Sequence, residues 1–307
     1  MPDTQMRREI LEIPTATARL IENGSGDIKA AAAALRVTDP QFLVSVARGS
    51  SDHVTTYLKY ASELLMGRAI ASIGPSIASI YNRPLSLSGS ACLSVSQSGK
   101  SPDIVAMARS AQSAGALSIV MTNNPQSPLS AVSDHTLNLH AGSEISVAAT
   151  KTFVNSAVAG IWLLAEWAGD DDLRRAVYAL PDVLDKAVHT DWSPLNFALG
   201  SRNSIFCLGR GPAYAMSNEA ALKFKETCQI HAESYSSAEV LHGPVSIVDG
   251  GFPVIAFASQ DLAEAPLAKV ADALADKGAT VFATSQMVQK ATALPVVRTG
   301  HPLTDPI

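Results

Sequence analysis

The sequence predicts an α/β protein built from two consecutive five-stranded parallel sheets, each flanked by helices. Three observations predict it. Short apolar, β-branched runs alternate with longer segments of helical periodicity, the mark of βαβ units. The runs fall into two sets of five that follow one another in the same order along the chain. Small landmarks recur at the same places in both sets, which indicates a duplicated unit.

From Met6 to Leu35 the spacing of apolar residues predicts helix, broken around Asn23-Gly24-Ser25-Gly26. The first set of strands is expected at Phe42–Ala47, Ala69–Ile73, Ala91–Val95, Ser118–Thr122 and Thr136–Leu139. Each has the length of a buried strand. Between Gly169 and Leu199 the segment GDDDLRRAVYALPDVLDKAVHTDW reads as an amphipathic helical connection interrupted by Pro181. The second set is expected at Ser204–Leu208, His231–Tyr235, Pro253–Phe257, Thr280–Thr284 and Leu294–Val297. One constant interval separates Phe42 from Ser204, Ala91 from Pro253 and Ser118 from Thr280. Arg48-Gly49 and Arg210-Gly211 each follow the first strand of a set, while Ser96-Gln97 and Ser259-Gln260 each follow the third. The expected organisation is therefore an N-terminal helical region with a first subdomain over 1–168, a helical connection over 169–200 and a second subdomain over 201–307.

Composition narrows the classes of function. With 307 residues, 47% hydrophobic and 17% charged, the chain supplies two buried cores. A net charge of -5 with mixed signs and no basic cluster argues against nucleic acid as a partner. No segment approaches the roughly 18 apolar residues of a membrane helix, and MPDTQMRREILEIP lacks the apolar core of a signal peptide, so the cytoplasm is expected, with no membrane partner. The three cysteines, Cys92, Cys207 and Cys228, show no CxxC or Cys/His spacing, which suits a reducing compartment and points to no metal site. No cofactor is expected.

In an open parallel sheet, ligands bind beyond the carboxyl ends of the strands, where loops present free N–H groups and helix N-termini. The third strand of the first set ends in SVSQSGKSPD. Small hydroxyl residues and Gly99 let this backbone curl around an anion, and Pro102 suits the first turn of a helix. Ser96, Gln97, Ser98 and Ser101 are thus candidate phosphate ligands, although such a turn also occurs as a plain capped helix start. Gly49-Ser50-Ser51-Asp52-His53 brings a second hydroxyl cluster to the same crevice, whereas the matching loop of the second set, Ser259-Gln260-Asp261, carries a carboxylate that repels an anion. The expectation is that the first half holds phosphate and the second contributes catalytic groups. There, Glu219, Lys223 and Glu226 recur at helical spacing within NEAALKFKETCQIHAESYSSAEVLHGP and share one face, which alone would also fit a solvated salt-bridge pair. His231, Glu233, Glu239 and His242 follow closely and favour a site. Glu144 and Lys151, in AGSEISVAATKTF, have no obvious solvated face.

At these residues the chain resembles the sugar isomerase (SIS) family, in particular the isomerase domain of glucosamine-6-phosphate synthase and the isomerase-type glucosamine-6-phosphate deaminases. Four blocks carry the resemblance: RGSSDH at Arg48, SQSGKSPD at Ser96, SEISVAATKTF at Ser143, and LGRGPAYAMSNEAALKFKET with IHAESYSSAEVLHGP between Leu208 and Pro244. It implies tandem sugar-isomerase subdomains, each a flavodoxin-like three-layer sandwich, in a homodimer with sites near the subunit interface. By motif, Ser96, Gln97, Ser98 and Ser101 resemble the phosphate ligands, and Ser50, Ser51 and Val147 resemble contacts to the sugar chain. Glu226 resembles the glutamate that moves a proton between C1 and C2 of the open-chain sugar, with Lys223 one turn earlier polarising the carbonyl side. His242 resembles the histidine that opens the pyranose ring, entering from the neighbouring subunit.

The chain departs from the family pattern at several points. Lys100 replaces a frequent acidic residue and adds positive charge near the phosphate, and Ala149 replaces a serine of the VAST motif. The family's closing lysine has no assignable counterpart near HPLTDPI, and Pro2 stands where a glutamine-hydrolysing domain would begin with cysteine. The resemblance therefore implies a phosphosugar isomerase or amino sugar phosphate deaminase without glutaminase activity, taking glucosamine 6-phosphate to fructose 6-phosphate and ammonia. An amine-independent aldose-ketose phosphate isomerase and a non-catalytic sugar-phosphate sensor remain the alternatives.

Overall fold

The computed structural model describes residues 4–200 and 202–307, so that Pro2 lies outside the described residues. The chain divides into two compact units, one ending at Asp182 and the other beginning at Val183.

The first unit opens with three helices, α1 (Gln5–Leu11), α2 (Ile13–Asn23) and α3 (Ser25–Thr38), the expected break falling at Gly24. Then follow β1 (Leu43–Val46), α4 (Ser50–Met66), β2 (Ile70–Ser72), the single turn α5 (Ser76–Ser79), β3 (Ala91–Val95), α6 (Pro102–Ser113), β4 (Leu117–Thr122) and β5 (His135–Asn138). The long α7 (Lys151–Ala168) closes the unit with α8 (Asp171–Tyr178) and the start of α9 (Leu180–Ala187). Pro181 sits in the first turn of α9, where its missing N–H costs nothing, so it starts a helix rather than interrupting one.

All pairings in the sheet are parallel, in the order β2-β1-β3-β4-β5. Because side chains alternate across a strand, Val44, Val46, Cys92 and Val120 face one way and pack on Ile104, Met107 and Ala108 of α6. Leu43, Leu93 and Ile119, one residue out of phase, are equally buried on the other face. Burial on both faces is what turns these strands into continuous apolar runs. Helix α7 is apolar nearly all round, and α2, α3 and α4 all pack on it.

The second unit continues with α10 (Ser193–Leu199), β6 (Ser204–Gly209), α11 (Ala213–Cys228), β7 (His231–Ser236), β8 (Pro253–Ala256), α12 (Glu264–Asp276), β9 (Thr280–Ala283) and β10 (Thr292–Ala293). Two 3-10 turns, Val240–His242 and Pro244–Ile247, stand between β7 and β8 in place of a helix. Its sheet is again parallel, ordered β10-β9-β8-β6-β7. Counted from the first strand of each unit, both sheets therefore have the strand order 2-1-3-4-5. Phe206, Leu208, Val254 and Ala256 pack on Leu267, Ala271 and Leu274 of α12, while Ile205, Cys207 and Ile255 pack on Leu195 and Ala221 from α10 and α11.

The tenth strand differs from its expected position at Leu294–Val297: it is the two residues Thr292 and Ala293, which pair with Phe282 and Ala283. Leu294 donates the last ladder hydrogen bond, to Ala283 O at 2.8 Å. Pro295 has no N–H to continue it, and its carbonyl accepts instead from Trp192 Nε1 at 2.9 Å. Among the described residues no helix is long and apolar enough to cross a membrane.

Candidate functional site

In the first unit the strand order reverses between β1 and β3, and a crevice opens beyond the carboxyl ends of such neighbours. The loops on its two sides are Ala47–Gly49 and Ser96–Ser101, which lead into α4 and α6. Two helix N-termini thus flank one crevice, and the positive ends of their dipoles favour an anion.

The Ser96–Ser101 loop is held from behind. Gln97 O accepts from Asn123 N at 3.0 Å and from the Thr122 hydroxyl at 3.2 Å, and Gly99 O accepts from Leu129 N at 3.1 Å. Tying down these carbonyls turns acceptors away from the crevice and leaves donors to face it. Within the loop, the Ser96 hydroxyl accepts from Gly99 N at 3.2 Å and the Ser98 hydroxyl from Lys100 N at 3.3 Å. Each oxygen that accepts a backbone N–H still has its own proton to donate. Ser101 is the N-cap of α6, yet its hydroxyl caps no N–H of the helix. Gly99 holds the left-handed φ of 62° that closes the turn.

Asp103 is the one acid in the first turn of α6. Arg48, from the end of β1, pairs with it, Nε lying 2.6 Å from Oδ2. The ion pair offsets a negative charge beside the Ser96–Ser101 loop and bridges the two sides of the crevice. In the sequence Arg48 marks the duplication and opens the RGSSDH block, and neither feature points to its pairing with Asp103. Ser50 and Ser51 occupy the first turn of α4, and Lys100 is exposed.

Val147 is fully exposed, in the irregular segment between β5 and α7. Glu144 caps α7, accepting from Thr150 N at 3.0 Å and Thr152 N at 3.2 Å as well as from both threonine hydroxyls. A carboxylate on a helix N-terminus complements the dipole. Lys151 is 2% exposed and pairs with Glu12. The lack of a solvated face for Glu144 and Lys151 thus has two causes, a helix cap and an ion pair in which only the lysine is buried. The acid seven residues before Lys151 is a signal from which the cap could have been read.

In the second unit α11 carries the candidate catalytic groups. Lys223 Nζ lies 3.2 Å from Glu219 Oε1 and 2.7 Å from Glu226 Oε2, one ammonium between two carboxylates on one helix face. The Glu219 side chain is 9% exposed, that of Lys223 18% and that of Glu226 35%, so the row runs from buried to open toward the helix end. As a crossover between parallel strands, α11 runs antiparallel to β6 and β7, and Glu226 is in its last turn. Glu226 is thus at the end of α11 remote from the carboxyl edge of its own sheet, where the general rule for parallel sheets looks for ligands. Beside it, a mainly apolar recess of about 280 Å³ is lined by Trp192, Lys223, Phe224, Thr227, Cys228 and Phe257, among others.

His242 ends the first 3-10 turn after β7 and is exposed. The other ionisable residues of that dense stretch separate. His231 opens β7 and meets Ser204 at the amino edge of the sheet, with Nδ1 and Oγ 3.3 Å apart. Glu233 accepts from the Tyr235 hydroxyl at 2.6 Å, and this bond, with burial, pushes the phenol up to about 12. Closeness in sequence overstated this cluster, because alternation and the 3-10 turns send neighbours to different places.

The loop at the end of β8, the counterpart of Ser96–Ser101, is tied to an acidic group. Gln260 N donates to Asp305 Oδ2 at 2.8 Å, and Asp305 also pairs with Arg298 at 2.6 Å. Burial raises the Asp261 carboxyl above its ordinary range, and the Asp305 and Glu264 charges add to this. Glu264 and Asp305 both pair with Arg298, so the carboxylates here outnumber the one guanidinium they share.

The sequence profile of the SIS domain matches residues 39–166 and 198–292. Glutamine–fructose-6-phosphate aminotransferase [isomerizing] of Sulfurisphaera tokodaii is 31% identical over 283 residues, which cover 91% of this chain and 47% of that protein. The chain spans about half the length of the curated relatives it matches. Among solved structures, a proposed phosphosugar isomerase from Silicibacter pomeroyi shares 62% identity at a TM-score of 0.96, covering 99% of this chain and 93% of that one. The C-terminal domain of glucosamine-fructose-6-phosphate aminotransferase from Francisella tularensis shares the fold, with a TM-score of 0.85 at 23% identity over 99% of this chain and 92% of that one.

Proposed function

We propose a function from one premise: the chain belongs to the SIS domain family. It acts as a phosphosugar isomerase, and its reaction is conversion of glucosamine 6-phosphate and water to fructose 6-phosphate and ammonia. The observation that carries this reading is the row on α11, where Lys223 stands between Glu219 and Glu226.

The chemistry requires an anchor, a ring-opening group and a proton shuttle. Ser96, Gln97, Ser98 and Ser101 anchor the phosphate, while Ser50, Ser51 and Val147 meet the sugar chain. His242 takes the O1 proton and returns it to O5 as the ring opens to the aldehyde. Glu226 then removes the C2 proton and delivers it to C1 while the C2 ammonium gives a proton to O1, so the C1 carbonyl is reduced to an alcohol as C2 is oxidised to an iminium. Water adds at C2, ammonia leaves, and the ketone of fructose 6-phosphate remains. Lys223 stabilises the negative charge that develops on O1 during the transfer. A carboxylate suits the shuttle because one group serves both carbons without an external acid.

The test is ammonia release from glucosamine 6-phosphate by the intact protein. Glu226→Gln is expected to abolish turnover while leaving the affinity for fructose 6-phosphate within about threefold, a shift of less than about 1 kcal/mol. Parallel assays with hydroxy sugar phosphates separate the deaminase from a simple aldose-ketose isomerase. Binding of sugar phosphates with no turnover of either kind would replace the enzyme by a sensor.

A further inference from the structure

Helix α1 lies far in sequence from every residue assigned to the site, yet it reaches the segment that bears Val147. Glu9 of α1 is fully buried. Its Oε1 accepts from Ile145 N at 2.6 Å and Ser146 N at 3.3 Å, and its Oε2 accepts from Ser146 N at 3.2 Å. Gln5, one turn earlier, donates its amide to the same Oε1 at 3.1 Å. Burial opposes the charged form of Glu9, but the hydrogen bonds from Ile145, Ser146 and Gln5 outweigh it and hold the carboxyl below its usual range.

A buried carboxylate is costly unless donors surround it, and here two of the donors are backbone N–H groups of one irregular segment. That segment, 142–150, has no helix or strand to set its dihedrals. Its outward side chains are open: Ile145 is 72% exposed and Val147 stands clear of the protein altogether. Ala148 is buried near the far end of this stretch, but no apolar side chain of 143–147 is, so inward apolar packing does not fix that part. Glu9 does so from within, and Glu144 holds its far end by capping α7.

The following residues of α1 and α2 extend the same contact. Glu12, at the junction of the two helices, pairs with Lys151. Asn155 receives the Thr17 hydroxyl at 2.9 Å and donates to Ala16 O at 3.0 Å and Leu139 O at 2.8 Å. Arg19 donates to His140 O at 3.2 Å and Ala141 O at 3.1 Å. These polar side chains flank the 142–150 segment at its two roots, and Glu9 alone among them reaches its middle.

We infer that Glu9 is a positioning residue for the substrate: its carboxylate sets the backbone of Ile145, Ser146 and Val147 in the shape that receives the sugar chain. This rests on Val147 being a sugar contact, as proposed above. A purely structural Glu9 would contribute to stability and leave the segment's local order and the substrate affinity untouched.

The experiment compares Glu9→Gln, Glu9→Ala and the control Thr17→Ala in the full chain. Thr17→Ala removes a buried hydrogen bond of the same helical region without touching 142–150. Two readouts are taken: amide exchange of residues 143–150, and KM against kcat for glucosamine 6-phosphate. Both Glu9 variants are expected to speed exchange in that segment and to raise KM about tenfold, kcat staying within about twofold. Glu9→Gln keeps one accepting oxygen and is expected to be the milder, which preserves the test should Glu9→Ala fail to fold. Thr17→Ala is expected to change neither readout. Unchanged exchange, or faster exchange with KM unchanged, overturns the positioning role. If the wild-type protein binds sugar phosphates without turnover, the Kd for fructose 6-phosphate takes the place of KM. A wild-type protein that binds no sugar phosphate overturns the functional reading before any variant is compared.

Discussion

Gly99 and the cysteines show how packing acts on single residues. At Gly99 the backbone is left-handed, and a Cβ there would overlap the Ser127 hydroxyl and lie 2.5 Å from Ser127 Cβ. Left-handed geometry alone costs an L side chain about 1–2 kcal/mol. Gly99→Ala is therefore expected to push the loop off the 122–129 segment and abolish measurable phosphate-ester binding by calorimetry while the sheet itself survives. The need for glycine was legible in SQSGKS, but its cause, a serine from a later segment pressed against it, was not. The thiols behave differently from one another for a similar reason. Burial pushes Cys92 up to about 11 and Cys207 up to about 12, whereas Cys228 is exposed. Titration of the native protein with a thiol reagent at pH 8 is expected to modify Cys228 alone, and all three cysteines only after denaturation. Rapid modification of two or more native thiols would contradict the packing of β3 and β6.

Helix α11 illustrates how an element is aimed. Gly209 ends β6, and a Cβ there would come within 2.5 Å of Ala213 O and 2.6 Å of Tyr214 Cα, both backbone atoms of the incoming helix. Backbone cannot step aside as a flexible side chain does, so Gly209→Ala is expected to displace the start of α11 and destabilise the protein by about 1–3 kcal/mol, read from the denaturation midpoint. The periodicity of Glu219, Lys223 and Glu226 was enough to put them on one face. The direction of the helix, which carries Glu226 to the amino edge of its sheet, came from the parallel pairing of β6 with β7. A second element is held by a carboxylate. Burial tends to raise the Asp272 carboxyl, but the N–H groups of Ala291, Lys290 and Gln289, together with the Lys290 charge, bring it below its usual range. A depressed carboxyl contributes stability above its unfolded value, near pH 4, and loses it as the pH falls through its folded value. The stability difference between wild type and Asp272→Asn is accordingly expected at pH 7 and to shrink toward zero as the pH is lowered toward 2.

For the whole molecule, a ligand that binds only the folded state stabilises it by mass action, about 2.7 kcal/mol at a hundred times its Kd. Fructose 6-phosphate is expected to raise the melting temperature of the wild type and to lose that effect in Ser98→Ala, whose unliganded melting temperature stays unchanged. Much of this organisation was legible in the residues. β-branched runs, the constant interval between the halves and the recurrence of Arg-Gly and Ser-Gln landmarks determined two parallel sheets, because period and burial are local properties that strands announce one at a time. The Ser96–Ser101 loop was equally local, since its hydroxyls, its glycine and the helix after it are contiguous. The tertiary structure alone decided what long-range contacts supply: Asp305 on the loop after β8, Arg48 against Asp103, and Glu9 on the N–H groups of Ile145 and Ser146. Each of these pairs a charge with groups many residues away. Hydrogen bonding and charge neutralisation act through space, and the fold chooses which separated residues meet.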